Sequence, residues 1–388
     1  MIQRNSDSVL KKLAQQFKAL AVIGPRQSGK TTLVKYTFPD KVYVSLENPD
    51  IRSFALSDPK GFLHQYPQGA ILDEVQRLPE LFSYLQQILD ENETKGLFIL
   101  TGSNNFLLQE NISQSLAGRI AYLTLLPFSH SEISGLSVNS INEILFKGLY
   151  PPLYNQNIDI DIWYQNYIRT YIERDVRQLK NINNLNTFER FVRLCAGRTG
   201  QILNMSSLAI ETGVDHKTIQ SWISVLESSF IIYRLQPHYK NFNKRLVKMP
   251  KLYFYDTGLA SHLLNIQTVE QMSIHPFRGA LFENFIINEL IKMRFNEAKK
   301  HHLYYWRDNT GHEIDIISEN ANQLIPIEIK SGQTITSDYF KGLDFWNKIA
   351  NQKGGYVIYS GDQIQNRSNG VSVIPWNQIN ENLSLNGK

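Results

Sequence analysis

The sequence predicts a multidomain α/β protein, and three observations carry that expectation. A phosphate-loop motif, Gly24-Pro25-Arg26-Gln27-Ser28-Gly29-Lys30-Thr31, lies between a short apolar run and a helical pattern. Apolar strand candidates then alternate with helical segments to about residue 150, as a parallel sheet with crossovers requires. After a helical stretch, the same alternation returns beyond about residue 270. At 388 residues the chain exceeds one ordinary core. The divisions fall at about 1–150, 155–265 and 270–388.

The first strand is Ala19-Leu20-Ala21-Val22-Ile23, and the helix after the motif continues through Thr32-Leu33-Val34-Lys35-Tyr36. Glycines allow the tight turn that points successive backbone N–H groups at a triphosphate. Gly24, Pro25, Arg26, Gln27, Ser28, Gly29, Lys30, Thr31 and Thr32 would wrap the phosphates. Lys30 would reach the β- and γ-phosphates, and Thr31 would hold Mg²⁺. A chance match in a chain of this length is roughly a one-in-a-hundred event at average composition.

Lys41–Leu46 is the next strand, and Gly69-Ala70-Ile71-Leu72-Asp73-Glu74 is an apolar run ending in two carboxylates. Asp73 would ligate Mg²⁺ and Glu74 would polarise the attacking water. Gly96–Asn104 should lie beside the first strand and bring Ser103 or Asn104 near the γ-phosphate as a sensor; an ordinary strand-end cap is the competing reading. Arg119 precedes the strand Ile120–Leu125. It would stabilise transition-state charge within the subunit or across an interface, or else be a surface arginine.

The order of these motifs resembles the AAA+ branch of P-loop ATPases. The phrases Leu72-Asp73-Glu74-Val75-Gln76-Arg77-Leu78-Pro79, Ser115-Leu116-Ala117-Gly118-Arg119 and Leu126-Pro127-Phe128-Ser129 resemble a prokaryotic family of AAA-type ATPases. The likeness continues through Gly148-Leu149-Tyr150-Pro151 and Tyr171-Ile172-Glu173-Arg174-Asp175-Val176. It implies a P-loop AAA+ ATPase domain with ATP as its nucleotide.

The middle of the chain is helical. Trp163, Tyr167, Ile168, Tyr171, Ile172 and Val176 recur at helical spacing, as a core-facing stripe does. Residues 205–223 then read as helix, tight turn at Gly213 and second helix capped by Asp215. Leu208, Ala209, Val214, Ile219 and Trp222 have the spacing of a helix pair packed on itself. The strand at Ile231–Leu235 makes this a winged helix-turn-helix domain. His216, Lys217, Thr218, Gln220 and Ser221 are its candidate DNA contacts. From Ser228 to Tyr255 no acidic residue interrupts Arg234, Lys240, Lys244, Arg245, Lys248 and Lys251, with Tyr239 and Phe242 among them. Such a wing would attract phosphate, although winged helices also dock protein partners.

The last part opens with an amphipathic helix at Gly279–Ile291 carrying Glu283. Strand candidates follow at His302–Arg307, Glu313–Ile317 and Leu324–Lys330, then a helix near 337–350 and a closing strand, Gly355–Tyr359. This order, with Glu283, Asp315, Glu328 and Lys330, resembles the PD-(D/E)xK nucleases, which implies a restriction-endonuclease-like α/β domain. Glu328 and Lys330 are two apart on a strand and face one side. With Asp315 and Glu283 they would hold one or two Mg²⁺ ions and activate water against a phosphodiester. Domains of this kind either cleave or only bind.

Composition sets outer bounds. A hydrophobic content of 42% and an aromatic content of 11% suit packed cores rather than disorder. Cys195 is the single cysteine, which excludes an intrachain disulfide and a cysteine-based zinc site and suits a cytoplasmic setting. The first residues lack the apolar core of a signal peptide, and no run has the length of a membrane span. A net charge of +4 does not by itself announce nucleic acid. The expectation is an ATPase that drives a C-terminal module which binds DNA and either cleaves it or does not, working as a homo-oligomer if Arg119 acts in trans. The alternative is an ATP-dependent regulatory switch that docks a protein partner without cleavage.

Overall fold

Five short strands, β1 (Ala19–Ile23), β2 (Val42–Ser45), β3 (Ala70–Asp73), β4 (Phe98–Gly102) and β5 (Ile120–Thr124), make a wholly parallel sheet in the order β2-β3-β4-β1-β5. The computed structural model describes residues 2–103, 115–136, 140–172, 185–239, 246–320 and 323–383. Alternate side chains go to opposite faces of a strand. Leu20, Val22, Ile71, Ile99 and Leu123 pack with Leu10, Leu33 and Val34 on one face. Ala19, Ala21, Ile23, Leu72, Phe98 and Leu100 enter a larger core on the other. β1 is buried along its whole length between β4 and β5. The phosphate loop therefore leaves a fully buried strand, beside the end of β4, as the sequence led us to expect.

The middle region packs helices Leu185–Ala196, Met205–Thr212 and His216–Ser228. Gly213 ends the second helix in the left-handed conformation, and the Asp215 carboxylate accepts from Thr218 N–H to cap the third. Trp222 meets Phe188 and Phe191 at ring separations of 5.2 Å. An antiparallel hairpin, β6 (Ile232–Leu235) and β7 (Lys251–Phe254), follows. In the stripe before it, Trp163 stacks on buried Tyr167 at 5.1 Å. The phrase from Glu173 to Val176 lies outside the described residues.

The C-terminal sheet has six strands: β8 (Leu303–Arg307), β9 (Glu313–Asn320), β10 (Gln323–Lys330), β11 (Gly355–Tyr359), β12 (Gln365–Asn366) and β13 (Val371–Pro375). β8, β9 and β10 run antiparallel, and helix Lys341–Ala350 leads to β11, parallel to β10. β11 does not close the sheet as expected, because β13 pairs parallel to it and β12 covers β13. The Val371-Ser372-Val373-Ile374 run carried that signal. The outer edge of β8 is covered by the middle region: His238 N–H donates to Tyr305 O at 2.7 Å, Tyr305 N–H to Gln236 O at 3.1 Å, and Val247 N–H to Arg307 O at 3.0 Å.

Two buried knots join these parts. Helix Arg278–Phe295 is enclosed along most of its length and buries Asn284, Asn288, Glu289 and Lys292. Asn284 exchanges two hydrogen bonds with the Phe254 backbone, and Asn288 accepts from Tyr233 at 2.9 Å. Lys292 donates to Phe128 O at 2.8 Å, while Glu289 accepts from His130 N–H at 2.8 Å. The second knot is the buried Asp256 carboxylate, which takes Leu149 N–H and Tyr164 O–H, each at 2.7 Å. A side chain at Gly148, where φ is +70°, would strike both Tyr164 and Asp256. Gly148→Ala should therefore cost about 3 kcal/mol, read as a lowered urea midpoint; an unchanged midpoint would contradict this packing.

Candidate functional site

At the carboxyl ends of β1 and β3 the chain forms a cleft of about 500 Å³. Arg26, Gln27, Gly29, Lys30, Thr31 and Thr32 line one side. Glu47, Glu74, Pro151, Pro152, Asn155 and Gln156 line the rest. Helix Lys30–Thr37 begins at the loop, so its N-terminal N–H groups suit an anion. Arg4 braces the loop from below, donating to Ser28 O at 2.8 Å, Leu126 O at 2.7 Å and Glu132 at 3.0 Å.

Lys30 is buried and donates to the Gly24 and Pro25 carbonyls at 2.9 and 2.7 Å. Burial pulls its ammonium down to about 8, against the opposing pull of Glu74 and Asp73. A polyphosphate in the cleft would replace the weak carbonyl dipoles with full charges.

Asp73 is ringed by hydroxyls. Thr31 Oγ1 lies 3.2 and 3.3 Å from its two oxygens, Tyr43 donates at 2.6 Å, and Thr101 also donates. Such a hard-oxygen set fits Mg²⁺. Glu74 sits in the left-handed region at φ 54°, an uncommon conformation for this residue type. Its carboxylate accepts from Gln76 and from Ser103 Oγ, the latter at 3.1 Å. Ser103 at the end of β4 thus meets the water-polarising candidate; Asn104 lies outside the described residues.

Arg119 is not in this cleft. Its carbonyl accepts from Ala19 N–H, at the opposite end of β1 from the phosphate loop, and its guanidinium pairs with Asp90. A role toward the subunit's own phosphates is excluded by that placement. Glu47, Tyr43, Arg4 and the 151–156 wall escaped the sequence reading. Only the Gly148–Pro151 phrase pointed toward the wall.

A second cluster lies on β9 and β10. Lys330 Nζ is 2.5 Å from Glu328 Oε2 and 3.7 Å from Asp315 Oδ2. The β9–β10 ladder runs to Ile316↔Ile327, and beyond it Asp315 Oδ2 takes Ile329 N–H at 2.8 Å. Burial, then the Asp315 charge, pushes Glu328 up to about 8. Burial opposes the charge of Lys330, but Asp315 and Glu328 outweigh it and raise its pKa. Glu328 Oε1 is buried without a hydrogen-bond partner, against Gly342, where a side chain would collide with it. Glu283 stays within reach of the Asp315 charge but is bonded to Tyr253 and to Lys251, the latter at 3.3 Å. Of the three expected carboxylates, Asp315 and Glu328 share Lys330 directly, and among the described residues no three His, Cys, Asp or Glu side chains form a metal-holding group.

The basic run is also partly neutralised. Arg234 makes two 2.7 Å bonds to Glu227, and Lys251 is buried against carboxylates. Lys240, Phe242, Lys244 and Arg245 lie outside the described residues. Lys248 and Tyr239 are exposed, while residues 236–238 and 246–247 are hydrogen-bonded along β8. On the third helix, His216, Lys217 and Gln220 are exposed, Ser221 is half-buried, and Thr218 is committed to Asp215 at 2.6 Å.

Fold and cleft define an AAA-type ATPase. Residues 16–134 match the AAA domain family, residues 138–270 a domain of unknown function (DUF8612) and residues 278–379 another (DUF4143). The chain is 30% identical over 342 residues to the uncharacterized protein Rv2008c of Mycobacterium tuberculosis, covering 86% of this chain and 74% of that protein, and it belongs to that family. It is 20% identical over 365 residues to the uncharacterized protein MJ1544 of Methanocaldococcus jannaschii, covering 85% and 78%. A Walker-type ATPase of Pyrococcus abyssi superposes with a TM-score of 0.46 at 14% identity, covering 68% of this chain and 96% of that one. AMPPCP-bound DnaA of Aquifex aeolicus gives 0.29 at 13% identity, covering 57% and 85%. No helix among the described residues is long and apolar enough to cross a membrane.

Lys30→Ala should abolish nucleotide binding, measured with a fluorescent ATP analogue. Glu74→Gln should bind normally and lose turnover about a hundredfold or more; unchanged turnover would remove Glu74 from the attack step. Glu328 gives a pH test. Its folded pKa lies above the unfolded carboxyl value, so the stability it contributes is whole below about pH 4 and is lost as pH rises toward about 8. Glu328→Gln should therefore stabilise the metal-free protein at pH 8 and not at pH 4, judged by denaturant midpoints.

Proposed function

We propose that the chain is a Mg²⁺-dependent ATPase whose nucleotide cycle is coupled to a nucleic-acid module formed by the helix pair and the C-terminal sheet. The convergence of Lys30, Thr31, Asp73 and Glu74 on one cleft carries the hydrolytic reading. ATP would bind with its phosphates at residues 24–32, Thr31 and Asp73 would hold Mg²⁺, and Glu74 would orient the attacking water. An oligomer follows if Arg119 leaves Asp90 to reach a neighbour's nucleotide.

The strand order β8-β9-β10, helix, β11 and the placement of Asp315, Glu328 and Lys330 support a nuclease-like reading of the C-terminal region. Asp315 and Glu328 would hold a divalent cation there, and the orphaned Glu328 Oε1 fits that use. When bound, the cation would supply positive charge at a phosphodiester and lower the pKa of its water. Lys330 would hold the carboxylates in place and face the phosphate. His216, Lys217 and Gln220 would contact DNA. The capture of Glu283 by Lys251 and Tyr253 favours a second reading, in which the region binds without cutting and ATP acts as a switch.

Pure protein incubated with duplex, single-stranded and branched DNA plus Mg²⁺, with and without ATP, separates these readings. Cleavage that disappears in Asp315→Ala and Lys330→Ala supports the nuclease. Binding without cleavage of any substrate supports the switch.

A further inference from the structure

Lys251 belongs to β7 in the middle region, yet its ammonium lies inside the C-terminal carboxylate cluster. It is 3% exposed, and Nζ is 2.5 Å from Glu313 Oε1 and 3.3 Å from Glu283 Oε1. The Tyr305 ring centroid lies 5.5 Å away, closing the cation's apolar side. Burial opposes a charge at this depth, but Glu283, Glu313 and Asp315 outweigh it, so the ammonium stays protonated. Tyr253, two residues along the same strand, also donates to Glu283. Arg307 takes the other Glu313 oxygen at 3.1 Å. One strand of a neighbouring region thus fixes the two carboxylates that flank Asp315 and Glu328.

We propose that Lys251 is a resident cation of this cluster, holding Glu283 and Glu313 in the place a second divalent ion would otherwise take. The cluster then accepts one divalent ion, at Asp315 and Glu328. Two carboxylates make a poor cage alone, and Mg²⁺ is commonly held by one or two carboxylates completed by substrate phosphate and water. Occupancy of the site is thereby tied to the arrival of a phosphodiester, and the middle region becomes part of the site. This inference rests on the divalent-cation reading given above.

Mn²⁺ binding to the full-length protein, followed by the loss of the free-ion EPR signal, tests it. An Asp73→Asn background removes the ion of the nucleotide cleft. With Lys251 present, one ion per chain should bind, more tightly when a short DNA duplex is added, and Asp315→Asn should remove it. Lys251→Met should admit a second ion, and adding Glu313→Gln should take that ion away again. Lys251→Arg should keep one. Two ions with Lys251 intact, or one ion in Lys251→Met protein whose circular dichroism matches the parent, would overturn the proposal. The count with Lys251 intact tests it even if Lys251→Met fails to fold. If no form binds Mn²⁺, with or without DNA, the divalent-cation reading itself falls, and the resident-cation role with it.

Discussion

Much of this structure depends on a helix that is buried through most of its middle, from Leu281 to Lys292. Helix Arg278–Phe295 buries its apolar residues and also Asn284, Asn288, Glu289 and Lys292. A buried polar group without a partner costs about 1–3 kcal/mol, and more if charged. Each must therefore find its partner in a neighbouring element, and here the partners lie in different regions of the chain. Asn284 and Asn288 bind the β7 end, whereas Glu289 and Lys292 bind the backbone at His130 and Phe128. Specific docking, rather than mere apolar contact, is what such obligations enforce. The same helix sets Glu283 at the edge of the C-terminal cluster.

The 126–132 segment is held from two sides. Lys292 grips it from the helix, and Arg4 ties it to the phosphate loop. The nucleotide cleft and the C-terminal region therefore share a short stretch of backbone whose carbonyls are already committed. Pro151 and Asn155, on the cleft wall, are likewise tied to the middle region through Leu149 and Asp256. These bonds join the three regions directly.

The parallel sheet and the phosphate loop were legible because local signals there agree. Apolar runs end in Asp73-Glu74 and Ser103, and the run ending at Ser103 pairs with the first strand as expected. The order of strands and helices in the last region was legible for the same reason, up to β11. What could not be read was anything set by contacts across the regions. Lys251 and Arg234 looked like members of a solvated basic run, but their partners Glu283, Glu313 and Glu227 lie elsewhere in sequence. Glu283 looked like a member of a carboxylate trio because nothing local reveals a lysine arriving from another strand. Arg119 sat in a suggestive phrase, and only the sheet shows that its loop is at the wrong end of β1 for the subunit's own phosphates.

The covered edge of β8 bears on how the chain is made. An unpaired strand edge is a template for pairing with other chains, and domains fold largely as they emerge, N-terminal parts first. Residues 236–238 and 246–247 leave the ribosome before β8 does. The growing chain thus has its own cover in place when the β8 edge appears. Biosynthetic order, read from the same hydrogen bonds that join the regions, shields this edge during the interval when a nascent sheet is most exposed to its neighbours.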